Sequence, residues 1–126
     1  MAGKYLIDTN AVIDYLSNKL PGNASNMLDE EALEISVIIR MELPAWGNAE
    51  SQQLSILEDF INSVVVWSLD EPVIIKGIEI RKNFRIKLPD AIIAATPVVH
   101  ELTLVTRNVN DFKNITGLRL INPWDM

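Results

Sequence analysis

Short apolar runs of strand length alternate along this chain with segments of helical period, and several of the runs end in or just before a carboxylate. Residues 4–8 (Lys-Tyr-Leu-Ile-Asp) read as a buried strand closed by an acid. Residues 34–38, 64–67, 102–106 and 118–121 repeat the theme with β-branched residues. Between them lie helical patterns at about 11–17, 24–31, 40–46, 51–62, 70–85 and 89–99, with a short turn of helix at 108–112. Thr9 or Asn10 is the expected cap of the first helix, Pro44 a disturbance of the third, and Pro97 a bend in the last turn of the helix opened by Pro89. Strands joined through helices dictate a parallel sheet of about five strands covered on both faces, a three-layer α/β/α sandwich with right-handed crossovers. Such sheets bind ligands beyond the carboxyl ends of their strands.

That is where this order of elements sets its acids. Asp8 closes the first strand, Glu42 lies just past the second, Asp111 follows the fourth, and Asp90 opens a helix. Each has an ordinary structural use: Asp8 and Asp111 as caps, Asp90 as a favourable charge at a helix start, Glu42 as a solvated side chain. Four together at corresponding ends of one sheet suit a hard divalent cation. Mg²⁺ takes oxygen ligands from a few carboxylates, waters and phosphates, and its charge relieves the repulsion among the acids.

Composition narrows the alternatives. The 126 residues suit one domain spanning 1–126, and 48% of them are apolar, enough for a core. The absence of cysteine removes disulfides, zinc ribbons and thiol catalysis, and fits a reducing cytoplasm. No secretory signal is expected at the N-terminus. The most apolar stretch, residues 91–99, is far short of the roughly 20 residues of a membrane span. The single histidine, His100, excludes a two-histidine acid–base ribonuclease mechanism and reads as a helix-terminal surface residue. A formal charge of −6 speaks against indiscriminate nucleic-acid binding. Two divalent ions would reduce it to about −2. Five of the 11 bases (Lys76, Arg81, Lys82, Arg85, Lys87) crowd into twelve residues directly before Asp90. Arg81, Lys82, Arg85 and Lys87 are therefore candidates for contacts with an RNA backbone, with Arg107 and Lys113 as secondary ones. Trp46, Trp67 and Trp124 are scattered and read as core or interface rather than as a stacking platform.

The words around the acids resemble the motifs of a known family. Residues 6–10 (Leu-Ile-Asp-Thr-Asn), 35–43 (Ile-Ser-Val-Ile-Ile-Arg-Met-Glu-Leu), 88–96 (Leu-Pro-Asp-Ala-Ile-Ile-Ala-Ala-Thr) and 102–112 (Leu-Thr-Leu-Val-Thr-Arg-Asn-Val-Asn-Asp-Phe) resemble, in order and spacing, the four motifs of PIN domains. Within that family the chain looks like the VapC toxins of toxin–antitoxin systems. The resemblance implies a Mg²⁺- or Mn²⁺-dependent endoribonuclease, often acting on tRNA and leaving a 3′-hydroxyl and a 5′-phosphate. It implies that Asp8 and Asp90 are the principal metal ligands, that Glu42 completes the site and that Asp111 is the fourth acid. It further implies support from Asn10, Thr106 and Asn108, a small antitoxin partner and a homodimer. Asn108 stands where some relatives carry another acid, and Pro44 and Pro97 are unusual. Two rival readings remain. One is a PIN-like fold that binds RNA or protein without catalysis. The other is a phosphatase with Asp8 as nucleophile, which Asn10 disfavours because such enzymes generally place a second acid there.

Overall fold

The computed structural model describes residues 4–126. Five strands form one sheet: β1 (Tyr5–Ile7), β2 (Leu33–Ser36), β3 (Val65–Trp67), β4 (Thr103–Val105) and β5 (Arg119–Ile121). Their order is β3-β2-β1-β4-β5 and every pairing is parallel. The order reverses at β1: the chain steps outward to β2 and β3, then returns to lay β4 on the other side. The crevice between the ends of β1 and β4 is thus the switch point, where open parallel sheets bind their ligands. Leu6, Ile7, Ile35, Leu104 and Val105 are fully buried, as expected for strands packed on both faces.

The connections are helices: α1 (Thr9–Leu16), α2 (Gly22–Asp29), α3 (Val37–Glu42), α4 (Ser51–Ser63), α5 (Glu71–Asn83), α6 (Leu88–His100) and α7 (Val109–Phe112). The expected sandwich is therefore observed, with two local corrections. The second strand stops at Ser36, not residue 38, because the Ser36 hydroxyl accepts a hydrogen bond from the Ile39 amide and caps α3. That helix begins earlier than the sequence pattern suggested. Pro44 falls in the 3₁₀ turn Leu43–Ala45 that follows it, where a missing N–H is harmless. Pro97, expected in the last turn, lies inside its helix. α6 runs through it to His100 and closes on Glu101 in the left-handed conformation (φ 58°), whose neighbour Leu102 donates back to the Pro97 carbonyl.

One polar chain runs through the β3 side of the molecule. The Glu34 carboxylate, 2% exposed, accepts a 2.6 Å hydrogen bond from the Trp67 indole Nε1. The Trp67 ring stacks on His100 with centroids 3.8 Å apart. His100 does lie at a helix end, but it is half-buried against Trp67 rather than a surface residue. Ten residues of α6 separate it from Asp90, about 15 Å along the axis, which keeps it away from the acids. No helix among the described residues is long and apolar enough to cross a membrane.

Candidate active site

Asp8 leaves the end of β1 and becomes the N-cap of α1. Its side chain is only 8% exposed, and both oxygens are engaged. Oδ1 accepts from the Thr9 amide at 2.8 Å, and Oδ2 accepts from the Thr106 hydroxyl at 2.9 Å. Thr106, fully buried just past the end of β4, also accepts from the Asn108 amide at 3.0 Å. The two strands flanking the switch point are thus tied by one carboxylate–hydroxyl bond. Glu42, the last residue of α3, joins from the other side: its Oε1 accepts from the Thr9 hydroxyl at 2.7 Å. Asp90 stands in the first turn of α6 and Asp111 in α7, and the two line one cleft of about 590 Å³.

The acids feel one another. Burial raises the Asp8 carboxyl above its ordinary value, and the charges of Glu42 and Asp90 push the same way, against the hydrogen bonds from Thr9 and Thr106. Burial also raises Asp90, helped by Asp111 and Glu42 and opposed by Lys87. Hence Asp8, Glu42, Asp90 and Asp111, distant in sequence, share one field. They do not form a tight cage: among the described residues, no three histidine or acidic side chains are grouped so as to hold one ion. The donor set nevertheless fits Mg²⁺ or Mn²⁺. Mg²⁺ keeps several waters and is bound through one or two carboxylates plus phosphate oxygens, so the remaining acids need only reach it through water. Each Asp8 oxygen carries one hydrogen bond and keeps lone-pair capacity for a cation.

The supporting residues are less uniform than the motif resemblance implied. Thr106 holds Asp8 directly. Asn108 acts through its backbone amide on Thr106. Asn10 is exposed on α1, and among the described residues no hydrogen bond ties it to an acid. Thr9, which the sequence offered only as a helix cap, bridges Asp8 and Glu42. Arg85 and Lys87 line the Asp90–Asp111 cleft together with Asn110 and Asn114, and they also line the adjoining larger apolar groove, onto which Arg81 and Lys82 open without reaching the cleft. A second feature escaped sequence reasoning. The Arg107 guanidinium lies over the Trp124 ring, 4.9 Å from its centroid, one residue from Thr106. No spacing rule could have joined a residue after β4 to one after β5.

Residues 5–118 match the PIN domain family, the same span that carries these acids. The chain is a PIN-domain protein. Among its relatives, Ribonuclease VapC2 of Rickettsia felis is 31% identical over 134 residues, covering 96% of this chain and 98% of that protein. The VapBC structure from Salmonella typhimurium bound to DNA superposes with a TM-score of 0.80 at 28% identity, covering 96% of this chain and 98% of the other. A toxin–antitoxin complex from Klebsiella pneumoniae gives a TM-score of 0.76 at 29% identity, covering 97% and 99%. The likeness spans whole chains, so this PIN domain matches those proteins in extent as well as in fold.

Proposed function

We propose that this PIN-domain protein is a metal-dependent endoribonuclease and the toxin of a toxin–antitoxin pair. The observation that carries this reading is the convergence at the sheet's switch point of a buried, doubly hydrogen-bonded Asp8 with the charges of Glu42 and Asp90, and of Asp111 beyond. Asp8 and Asp90 would hold the Mg²⁺ or Mn²⁺ ion, with Glu42 and Asp111 reaching it directly or through water. A bound ion supplies an activated water and stabilises the charge that develops on the phosphodiester.

The chain's own residues do the rest. Thr106 and the Thr9 amide fix the Asp8 carboxylate and leave each of its oxygens lone-pair capacity for the ion. Thr9 fixes Glu42 in the same way. Arg85 and Lys87, on the wall shared with Asp90, attract the RNA backbone and hold it against acids that would otherwise repel it. Asn110 and Asn114 offer neutral donors and acceptors to the same strand. Arg107, held flat on Trp124 beside Thr106, adds a further cation on that rim. Structured RNA such as tRNA is the substrate class we infer. The same reading places the protein in the cytoplasm, with a small antitoxin restraining it and with a homodimer as its working form. The names of its VapC and toxin–antitoxin relatives support the antitoxin partner.

The test is direct. Asp90→Asn should abolish Mg²⁺-dependent cleavage of an RNA pool while leaving the far-UV circular dichroism unchanged. Undiminished cleavage by this variant, or cleavage by the native protein in excess EDTA, would refute the reading.

A further inference from the structure

Arg107 is the middle residue of a turn that the acidic site itself closes. The Thr106 hydroxyl donates to Asp8 Oδ2 at 2.9 Å and accepts from the Asn108 amide at 3.0 Å, so the backbone on both sides of Arg107 is tied to the Asp8 carboxylate. The far end of the side chain is anchored as well, with the guanidinium over the Trp124 ring at 4.9 Å from its centroid. Trp124 is held in turn. Its amide donates to the Asn122 side chain at 3.0 Å at the start of the 3₁₀ turn Pro123–Asp125, and β5, which leads into that turn, is joined to the end of β4 by a 3.0 Å bond from the Thr106 amide to the Ile121 carbonyl. Arg107 nevertheless stays exposed, and among the described residues its guanidinium makes no hydrogen bond or ion pair. We propose that Arg107, oriented by Trp124, reads O6 and N7 of an unpaired guanine next to the cleaved phosphodiester. The inference rests on the nuclease reading above and adds a base preference to it.

Three features favour a base edge over a phosphate. The first is where the charge falls. The charges that shift Asp8 and Asp90 are those of the other acids and of Lys87, and the Arg107 guanidinium is not among them. It stands off the point where an ion and the scissile phosphate would meet, and so faces a neighbouring nucleotide. The second is the aromatic bed. Attraction of phosphate needs only positive charge, which Arg85 and Lys87 already supply on the Asp90 wall. A ring beneath the guanidinium fixes its orientation, and orientation is what reading a base requires. The third is the fork itself. With one face of the guanidinium on Trp124, its in-plane N–H donors remain unspent. Two such donors match the paired acceptors O6 and N7 of guanine, the commonest specific base contact of arginine, whereas adenine places a donor at N6. Sequence-specific recognition of RNA takes place on unstacked bases of loops, where the Hoogsteen edge is open.

The experiment has a cutting arm and a binding arm, both with the full-length chain. In the first, the ends produced from a pool of random-sequence RNA are sequenced. Native cuts should share guanine at one position beside the cleaved bond. Arg107→Lys, which keeps the charge but not the fork, and Trp124→Leu, which removes the ring, should cut with that preference lowered about tenfold or more. Trp124→Phe should keep it. In the second arm, Asp90→Asn with Mg²⁺ is titrated with a uridine strand carrying one central guanine, followed by fluorescence anisotropy. Inosine in its place, which keeps O6 and N7, should bind equally well. Adenine or 7-deazaguanine should bind about tenfold more weakly, and adding Arg107→Lys should erase the difference. Equal affinity for guanine and 7-deazaguanine would overturn the assignment. So would variants that change only the melting temperature, which would make the Arg107–Trp124 pair a staple of the C-terminal turn. Variants that alter only the salt dependence of binding would make it a phosphate contact and overturn it too. Cutting without base preference would refute the guanine contact and leave the nuclease reading intact. Guanine discrimination by a chain that never cuts RNA would do the reverse.

Discussion

Replacing Asp8 separates what the acid does for the fold from what it does for chemistry. In Asp8→Ala, α1 loses the side-chain acceptor at its N-terminus, a change that typically costs about 1 kcal/mol. The Thr106 hydroxyl, fully buried, loses its acceptor as well, for about 1–3 kcal/mol more. The sum, roughly 2–4 kcal/mol, corresponds to a fall of about 6–16 °C in melting temperature for a chain of this length. Asp8→Asn behaves differently. The amide oxygen can keep the bond from the Thr9 amide, and the Thr106 hydroxyl can turn to accept from the new NH₂ group, since it has lone-pair capacity. Losing a carboxylate whose charge is disfavoured by burial, Glu42 and Asp90 offsets what remains. Without metal, Asp8→Asn should therefore melt within a few degrees of the native protein, while Asp8→Ala melts far below it. Mg²⁺ at about a hundred times its dissociation constant should add about 2.7 kcal/mol to the native protein. It should add far less to either variant. Differential scanning fluorimetry with and without Mg²⁺, beside an RNA cleavage assay, reads all of this. If Asp8→Asn retained full Mg²⁺ stabilisation and cleavage, the carboxylate would be a helix cap alone and the argument would be wrong.

Asp90 gives a pH signature. Its carboxyl is raised in the folded chain, first by burial and then by Asp111 and Glu42, so its ionisation opposes folding. The metal-free native protein should lose stability relative to Asp90→Asn as pH rises from the unfolded value of 3.8 through the folded one, and a saturating divalent ion should erase that trend. Melting curves from pH 3 to 7 check it; a difference that shrinks with rising pH contradicts it. Trp67→Phe should leave the buried Glu34 carboxylate without its donor and cost on the order of 3 kcal/mol in urea unfolding; Glu34→Gln, which can still accept from the indole, should cost less. Arg85→Glu with Lys87→Glu should weaken binding of single-stranded RNA and reduce the slope of log affinity against log salt by about 1.4. An unchanged slope in a filter-binding titration would remove these residues from the RNA path.

Much of this molecule was legible in one dimension because its signals are local. A buried strand in a parallel sheet must be continuously apolar, so the runs before Asp8 and Thr106 announce themselves. Proline and capping residues mark helix ends, and the alternation of elements leaves few topologies. The four acids were nameable because they follow strands or open a helix at motif spacing. What local signals carry poorly is the partner of a side chain. Ser36 stops a β-branched run two residues early because its hydroxyl reaches an amide that becomes available only once the helix has begun. Thr9 became the bridge between Asp8 and Glu42, Trp67 the donor to Glu34, and Trp124 the bed for Arg107, through contacts between residues that are 33 apart in the first two cases and lie beyond different strands in the last. Packing decides these, since a hydrogen bond or a stacked ring depends on a few tenths of an ångström that only the assembled sheet and helices supply. Sequence alone determined the sheet, its direction and which acids stand at its carboxyl edge. The tertiary structure decided how those acids are held, and that of the basic stretch before Asp90 only Arg85 and Lys87, in the link between α5 and α6, reach the acidic cleft, while Arg81 and Lys82 on α5 line the adjoining apolar groove alone.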